Sequence, residues 1–272
     1  MPELPEVETI RKALIRGYDG RPSVIGQEIV SARVLWHRSV AIPLPGEFIL
    51  RAVDQSILDV RRRGKFFVFQ LSEDWMLIHL RMSGDLHLAP SSEKLAPHDR
   101  VTLDFASGWR LAFNNPRKFG RVWLVDDPEE VTGNLGPEPL DENYTADQFY
   151  TDLNQRKRII KSLLLDQNFL AGVGNIYADE ALFRAGIHPQ KGSNSLNGVQ
   201  AASLLKGIRE ALHEGILQNG ASIDWVYRGG DFQNYFNVYG REGEPCSVCG
   251  TPIERIVVGQ RGTHFCPKCQ RL

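Results

Sequence analysis

Two groups of residues in this chain could do chemistry, and they lie at its opposite ends. The chain opens Met1-Pro2-Glu3-Leu4-Pro5-Glu6-Val7-Glu8. A proline after the initiator methionine is compatible with methionine removal, which would expose a secondary amine at Pro2. An α-amino group titrates near about 7.7 to 8.0, and a helix N-terminus would disfavour its protonated form further. Such an amine is a nucleophile at neutral pH, able to form an iminium with a sugar carbon as lysine does in Schiff-base enzymes. Glu3, its neighbour, is a candidate general acid. The same residues also suit an ordinary first helical turn, where Pro and Glu are both favoured.

At the other end, all four cysteines fall within the last 27 residues, as Cys246-x-x-Cys249 and Cys266-x-x-Cys269 with sixteen residues between the pairs. Each Cys-x-x-Cys turn presents two thiolates, and two such turns complete a tetrahedral four-sulfur site for one zinc ion. Four protein ligands leave no open position, so the metal is expected to be structural and to supply folding energy to a short tail. Disulfides are the competing use of paired cysteines, and the lack of a secretion signal disfavours them. Between the pairs, residues 257–265 read as a β-hairpin with Gly259 and Gly262 flanking the tip. Gln260 and Arg261 are then expected to project outward, placed to enter a groove.

Composition alone does not point to a nucleic acid. Thirty-two Lys and Arg stand against thirty-three Asp and Glu, a formal charge of −1. Clustering says more: Arg61, Arg62, Arg63 and Lys65 lie together, as do Arg156, Lys157, Arg158 and Lys161. Such runs can neutralise phosphates, although many are solvated faces. The apolar and charged fractions, 42% and 24%, are those of a globular protein and exclude a mainly disordered one. No apolar run approaches the roughly 18 residues that span a membrane, and no signal peptide opens the chain. A cytosolic or nucleoid location is the expectation.

The elements that must position these groups follow from periodicity. Val7, Ile10, Leu14 and Ile15 recur at helical spacing, with Pro5 suited to a first turn, so a helix begins almost at the N-terminus. Across 27–125 the pattern changes to short apolar or alternating runs, at 65–71, 76–80, 101–105, 109–113 and 120–125, with a tight turn at Ser107 and Gly108. This predicts an all-β domain, sandwich or barrel. Pro137 and Pro139 mark a linker. Helical spacing then returns at 146–153, 159–165, 176–185 and 199–217. A glycine- and aromatic-rich segment leads to the cysteine tail.

Several motifs, in order, carry a resemblance. They are the opening PELPEVE, Arg63-Gly64-Lys65, His79-Leu80-Arg81-Met82-Ser83-Gly84, Pro116-Arg117-Lys118-Phe119-Gly120, Leu135-Gly136-Pro137-Glu138-Pro139, Gly174-Asn175-Ile176-Tyr177, Val238-Tyr239-Gly240 and Gln260-Arg261-Gly262-Thr263. Together they resemble the bacterial formamidopyrimidine-DNA glycosylases of the formamidopyrimidine-DNA glycosylase/endonuclease VIII family, from residue 2 to the last cysteine. The resemblance implies an α+β multidomain chain: a β-sandwich with its N-terminal helix over 1–135, a helix-two-turn-helix domain over 136–238, and a four-cysteine zinc finger with a β-hairpin over 239–272. It implies a monomer that binds damaged double-stranded DNA, excises oxidised purines such as 8-oxoguanine and formamidopyrimidines, and cuts the abasic strand by β- and δ-elimination.

Carried residue by residue, the resemblance makes Pro2 the nucleophile at C1′, Glu3 the acid, Lys65 the proton donor of β-elimination and Arg261 that of δ-elimination. His98, Arg117, Arg156, Asn175 and Tyr239 match DNA-contacting positions. Met82, Arg117 and Phe119 match the wedge that fills the gap left by a flipped nucleotide. Physical chemistry supports these roles unequally. A base inside a duplex must be extruded before an amine can reach its sugar, and an apolar plug offsets part of the unstacking cost; Met82 and Phe119 suit that use, although core packing would use the same residue types. Asn175 follows Gly172 and Gly174 and opens a helix, where backbone N–H groups invite a phosphate. A guanidinium holds its proton, so Arg261 fits a phosphate clamp better than a proton donor. Two departures stand out. Asp99-Arg100 follow His98 where many relatives have a second histidine, and 222–237, which matches the loop that closes over the flipped base, keeps little beyond Phe232 and Asn234. The competing readings are an endonuclease VIII-like enzyme for oxidised pyrimidines and a non-catalytic zinc-ribbon DNA-binding protein.

Overall fold

The computed structural model describes residues 1–222 and 229–272. They divide into two compact units, one formed by 1–134 with 222 and 229, the other by 135–221 with 230–272.

The first unit opens with α1 (Leu4–Arg16), whose Leu4, Val7, Ile10 and Leu14 form the buried stripe that their spacing predicts. Nine strands and a helix follow: β1 (Ile29–Val34), β2 (Val40–Ile42), α2 (Pro45–Ala52), β3 (Ile57–Arg63), β4 (Phe66–Leu71), β5 (Trp75–His79), β6 (Asp85–Pro90), β7 (Asp99–Phe105), β8 (Trp109–Asn114) and β9 (Arg121–Val125). They form two sheets, ordered β1-β7-β8-β6 and β2-β9-β5-β4-β3. Every pairing is antiparallel except β2 with β9. One core of alternating side chains, among them Phe67, Phe69, Leu86, Leu103, Phe113 and Leu124, lies between the sheets together with the apolar face of α1. The domain read as sandwich or barrel is therefore a sandwich. Helix α2 interrupts the region read as all β. Only Phe48 and Ala52 of its eight residues are buried, too few positions to show a helical period. After a single turn at α3 (Glu129–Thr132) the chain leaves this unit.

The second unit holds α4 (Ala146–Asn154), α5 (Ile160–Leu164), α6 (Asn175–Arg184), α7 (Gly198–Leu217) and the hairpin β10 (Glu254–Val258) with β11 (Arg261–Phe265). Helix α6 is buried on nearly all sides, with Ile176 to Phe183 all inside, and so is the frame of the unit. Gly215 of α7 lets that helix approach Tyr177, because a Cβ there would meet the ring at 2.5 Å. Phe232 stacks on the same Tyr177 ring, centroids 5.2 Å apart. Among the described residues no helix is long and apolar enough to cross a membrane.

Candidate active site and nucleic-acid interface

In the first unit, Pro2 and Glu3 are buried at the start of α1 while Met1 is exposed. Glu3 is the N-cap, and the Glu6 carboxylate accepts its N–H at 2.7 Å, part of a capping box. That bond spares a backbone donor at the helix end and fixes the chain's entry angle. One turn on, Glu8 ties α1 to the sheet: it pairs with Arg11 at 2.8 Å and with Arg62 of β3 at 3.3 Å, and Arg11 donates to the Val60 carbonyl. These cations hold the Glu8 carboxyl below its ordinary range despite its burial.

Lys65, read from the sequence as the first residue of a strand run, instead lies in the two-residue turn between β3 and β4, where Gly64 takes a φ of 56°. It is buried, at 4% exposure. Two members of the first basic cluster are tied within the protein. Arg62 is bound to Glu8 and Arg61 to Asp59, the latter guanidinium also lying over the Trp75 ring. Near Lys65, His79 is buried and held down to about 3, by burial first and then by the charges of Arg81 and Lys65. Its Nδ1 accepts the Arg81 N–H at 3.0 Å, fixing the turn in which Arg81 takes a positive φ of 55°.

That turn presents Met82, and the loop at 114–120 presents Arg117 and Phe119. Met82 and Phe119 are 42% and 55% exposed, so neither is used in the core. The structure brings these residues together with His98: Arg117 N–H donates to the buried Ser83 hydroxyl at 3.3 Å, and Asn115 N–H donates to the His98 carbonyl at 2.8 Å. Two apolar tips and an arginine on adjoining loops can plug a gap in a base stack.

In the second unit a buried network joins α5, α6 and the hairpin. Lys161, counted from the sequence in a surface cluster, is wholly buried and paired with Asp179 at 2.6 Å. Its ammonium also donates to the Thr263 hydroxyl at 2.7 Å and the Gly262 carbonyl at 3.1 Å. Asp179 accepts the His264 N–H at 3.0 Å. Asn175, at the first position of α6, donates through Nδ2 to the same Gly262 carbonyl at 3.0 Å. The neighbouring Glu180 accepts the backbone N–H groups of Asn237, Val238 and Tyr239. The Tyr239 ring meets His264 edge-on. Asn175, Tyr239 and the hairpin are therefore held to one helix. The hairpin turn is Gly259-Gln260, both with positive φ; Arg261 is exposed at the start of β11, and Gly262 lies within that strand opposite Val257 rather than at the tip. Arg156 is exposed before α5, its carbonyl held by the Ser193 hydroxyl at 2.5 Å, whereas Arg158 pairs with Asp166. Lys161, Asp179 and Glu180 were invisible as a network, because a buried ion pair carries no periodic signal.

The four cysteine sulfurs lie within 4.8 Å of one another, Cys246 to Cys269 at 3.9 Å and Cys249 to Cys266 at 3.5 Å. A tetrahedron with zinc–sulfur bonds of about 2.3 Å has edges of about 3.8 Å, so this donor set fits one structural zinc. Cys246 and Cys266 also pack with Phe183 near the end of α6, Val238 and Ile253, which makes the zinc module part of this unit's core. The 222–237 segment includes residues 223–228, which lie outside the described residues.

Family models match in the same order: the formamidopyrimidine-DNA glycosylase N-terminal domain at 1–122, the formamidopyrimidine-DNA glycosylase H2TH domain at 135–226, and the zinc finger found in FPG and IleRS at 243–272. The chain is 41% identical over 280 residues to the formamidopyrimidine-DNA glycosylase of Protochlamydia amoebophila, with both chains fully covered. Two solved structures of Lactococcus lactis Fpg, one in complex with abasic-site DNA and one with DNA containing N7-benzyl-Fapy-dG, superpose at a TM-score of 0.91, with 36% identity and both chains fully covered.

Proposed function

The chain belongs to the formamidopyrimidine-DNA glycosylase family, and from that premise we propose that it excises oxidised purines, 8-oxoguanine and formamidopyrimidines, from duplex DNA and then cuts the abasic strand by β,δ-elimination. The observation that carries the reading is the placing of Pro2 and Glu3, both enclosed at the capped N-terminus of a helix that Glu8 anchors to the β-sandwich. Once Met1 is removed, the Pro2 amine attacks C1′ of the flipped nucleotide, the base leaves, and an iminium links the sugar to the protein. Glu3 supplies the proton that assists sugar opening and base departure. Lys65, in its buried turn, serves the first elimination. Arg261 steadies the phosphate and its developing charge, since a guanidinium does not give up a proton. Met82, Arg117 and Phe119 fill the vacated stack, and His98, Arg156, Asn175 and Tyr239 meet the DNA backbone. The zinc ion holds the hairpin that carries Arg261. The enzyme works as a monomer in the cytoplasm, on nucleoid DNA.

The test is borohydride trapping on a duplex containing 8-oxoguanine, with mass spectrometry of the adduct. Protein freed of Met1 is expected to trap on Pro2. Protein retaining Met1, whose Pro2 nitrogen is an amide without an available lone pair, is expected to bind DNA and trap nothing. An adduct on Lys65 would refute the proline nucleophile, and preference for thymine glycol over 8-oxoguanine would refute the substrate.

A further inference from the structure

Residues 114–120 carry Arg117 and Phe119, and three side chains with no part in the proposed chemistry bond to or stack on this loop. At its exit, Arg121 turns one guanidinium nitrogen back on the loop. Its Nη1 donates to the Lys118 carbonyl at 3.0 Å, the Phe119 carbonyl at 3.2 Å and the Gly120 carbonyl at 2.9 Å. Three successive carbonyls meet one nitrogen only when the backbone is curled, and Lys118 sits in the left-handed region at φ 61°. A non-glycine residue rests there when its surroundings hold it. At the entrance, Arg100 Nε donates to the Asn115 carbonyl at 3.1 Å, and the same carbonyl accepts the Lys118 N–H at 3.2 Å. The Arg100 guanidinium also reaches His98 Nδ1 at 3.3 Å. Because a guanidinium only donates, Nδ1 accepts and the ring proton lies on Nε2. At the tip, the Lys118 ammonium stands 3.9 Å over the Trp36 ring, a cation–π contact.

We propose that Arg121, Arg100 and Trp36 are positioning residues that hold the 114–120 loop in its inserting shape before DNA arrives, and that Arg100 makes His98 and this loop one rigid piece. The inference rests on the wedge role given above to Arg117 and Phe119. A loop that had to order on insertion would lose conformational entropy at that step, whereas a pre-formed one does not.

The experiment uses full-length, zinc-loaded protein freed of Met1, in single-turnover excision of 8-oxoguanine paired with cytosine. Arg121→Ala is expected to slow excision roughly tenfold, as losing hydrogen bonds from a charged donor does. Arg121→Lys, whose ammonium can reach the same carbonyls, is expected to restore most of the rate. In a Phe119→Ala background, Arg121→Ala should add less than about twofold, because a residue that works through Phe119 has nothing left to place. If Arg121→Ala does not fold, Trp36→Ala carries the same cycle with a loss of about threefold. Wild-type excision by these variants, or losses that multiply with Phe119→Ala, would overturn the proposal. Hydrogen exchange decides the matter apart from activity: the Lys118 amide is expected to exchange faster in Arg121→Ala or Trp36→Ala, and unchanged exchange overturns the inference. Wild-type protein that excises no 8-oxoguanine would instead count against the proposed function.

Discussion

Replacing Lys161 with Met tests whether the buried network sets the zinc hairpin. The ammonium is wholly enclosed and serves Asp179, Thr263 and Gly262 at 2.6, 2.7 and 3.1 Å. Without it Asp179 keeps the His264 N–H but loses its counter-charge inside the protein. Breaking a buried pair from one side costs about 3–5 kcal/mol. In a unit of this size, each kcal/mol moves the midpoint by about 3–5 °C, so a fall on the order of 10–25 °C is expected. Removing both charges together, as Lys161→Met with Asp179→Leu, should recover stability to within about 1 kcal/mol of the wild type or better. Urea unfolding at fixed zinc measures both variants, and the rate of zinc loss to a chelator reports the hairpin separately, because metal and local folding are linked. A single variant within about 1 kcal/mol of wild type, or a double variant worse than the single, would refute the argument.

Arg117→Ala and Arg156→Ala should each flatten the slope of log K against log salt by about 0.9, measured by fluorescence anisotropy on duplex DNA; an unchanged slope means no phosphate contact. Glu3→Gln is expected to slow base removal by about 10²- to 10⁴-fold while slowing cleavage of a ready-made abasic site far less, as gel assays of the two substrates would read. A buried histidine and a half-buried carboxylate oppose each other in acid. His79, held down to about 3 from an ordinary 6.5, binds its proton more readily unfolded, so its contribution to stability falls as pH drops through that window; Asp85, pushed up by burial to about 6 from 3.8, is favoured by acid instead. Removing the second with Asp85→Asn should make stability fall more steeply from pH 6 to 4, by about 1 kcal/mol per pH unit relative to wild type in urea titrations.

What the sequence revealed and what it hid divide along a physical line. The period of α1, the strand runs of β4, β5, β7, β8 and β9 and the paired cysteines are repeating local patterns, and each was legible as an element or a metal site. Helix α2 was not, since two buried residues in eight make no stripe. Charge was legible as local clusters, but not as pairs. Lys161 looked like its basic neighbours, and nothing local says that its partner lies eighteen residues on at Asp179 or that Thr263 completes the site. Met82 and Phe119 posed the opposite problem: apolar residues that read equally as core are exposed, because tight turns with positive φ at Arg81 and Lys118 direct them outward.

The same sorting of charges explains how a chain of formal charge −1 can serve DNA. Many of its arginines and lysines are occupied within the protein: Arg62 by Glu8, Arg51 by Asp74 and Asp126, Arg33 and Arg110 by Asp104, Arg158 by Asp166, Lys161 by Asp179. Among the described residues, the cations left exposed on proposed DNA-facing loops come to a handful, Arg81, Arg117, Lys118, Arg156, Lys157 and Arg261. Few phosphate contacts mean few released counterions, hence weak attraction to undamaged duplex and a shallow dependence on salt. On the proposed reading, binding strength then comes from parts that act only where a base can leave the stack, the loops of Met82, Arg117 and Phe119 and the enclosed Pro2. On that reading a near-neutral balance favours discrimination over residence time, because on intact DNA the contacts are to the backbone and carry no information about the lesion.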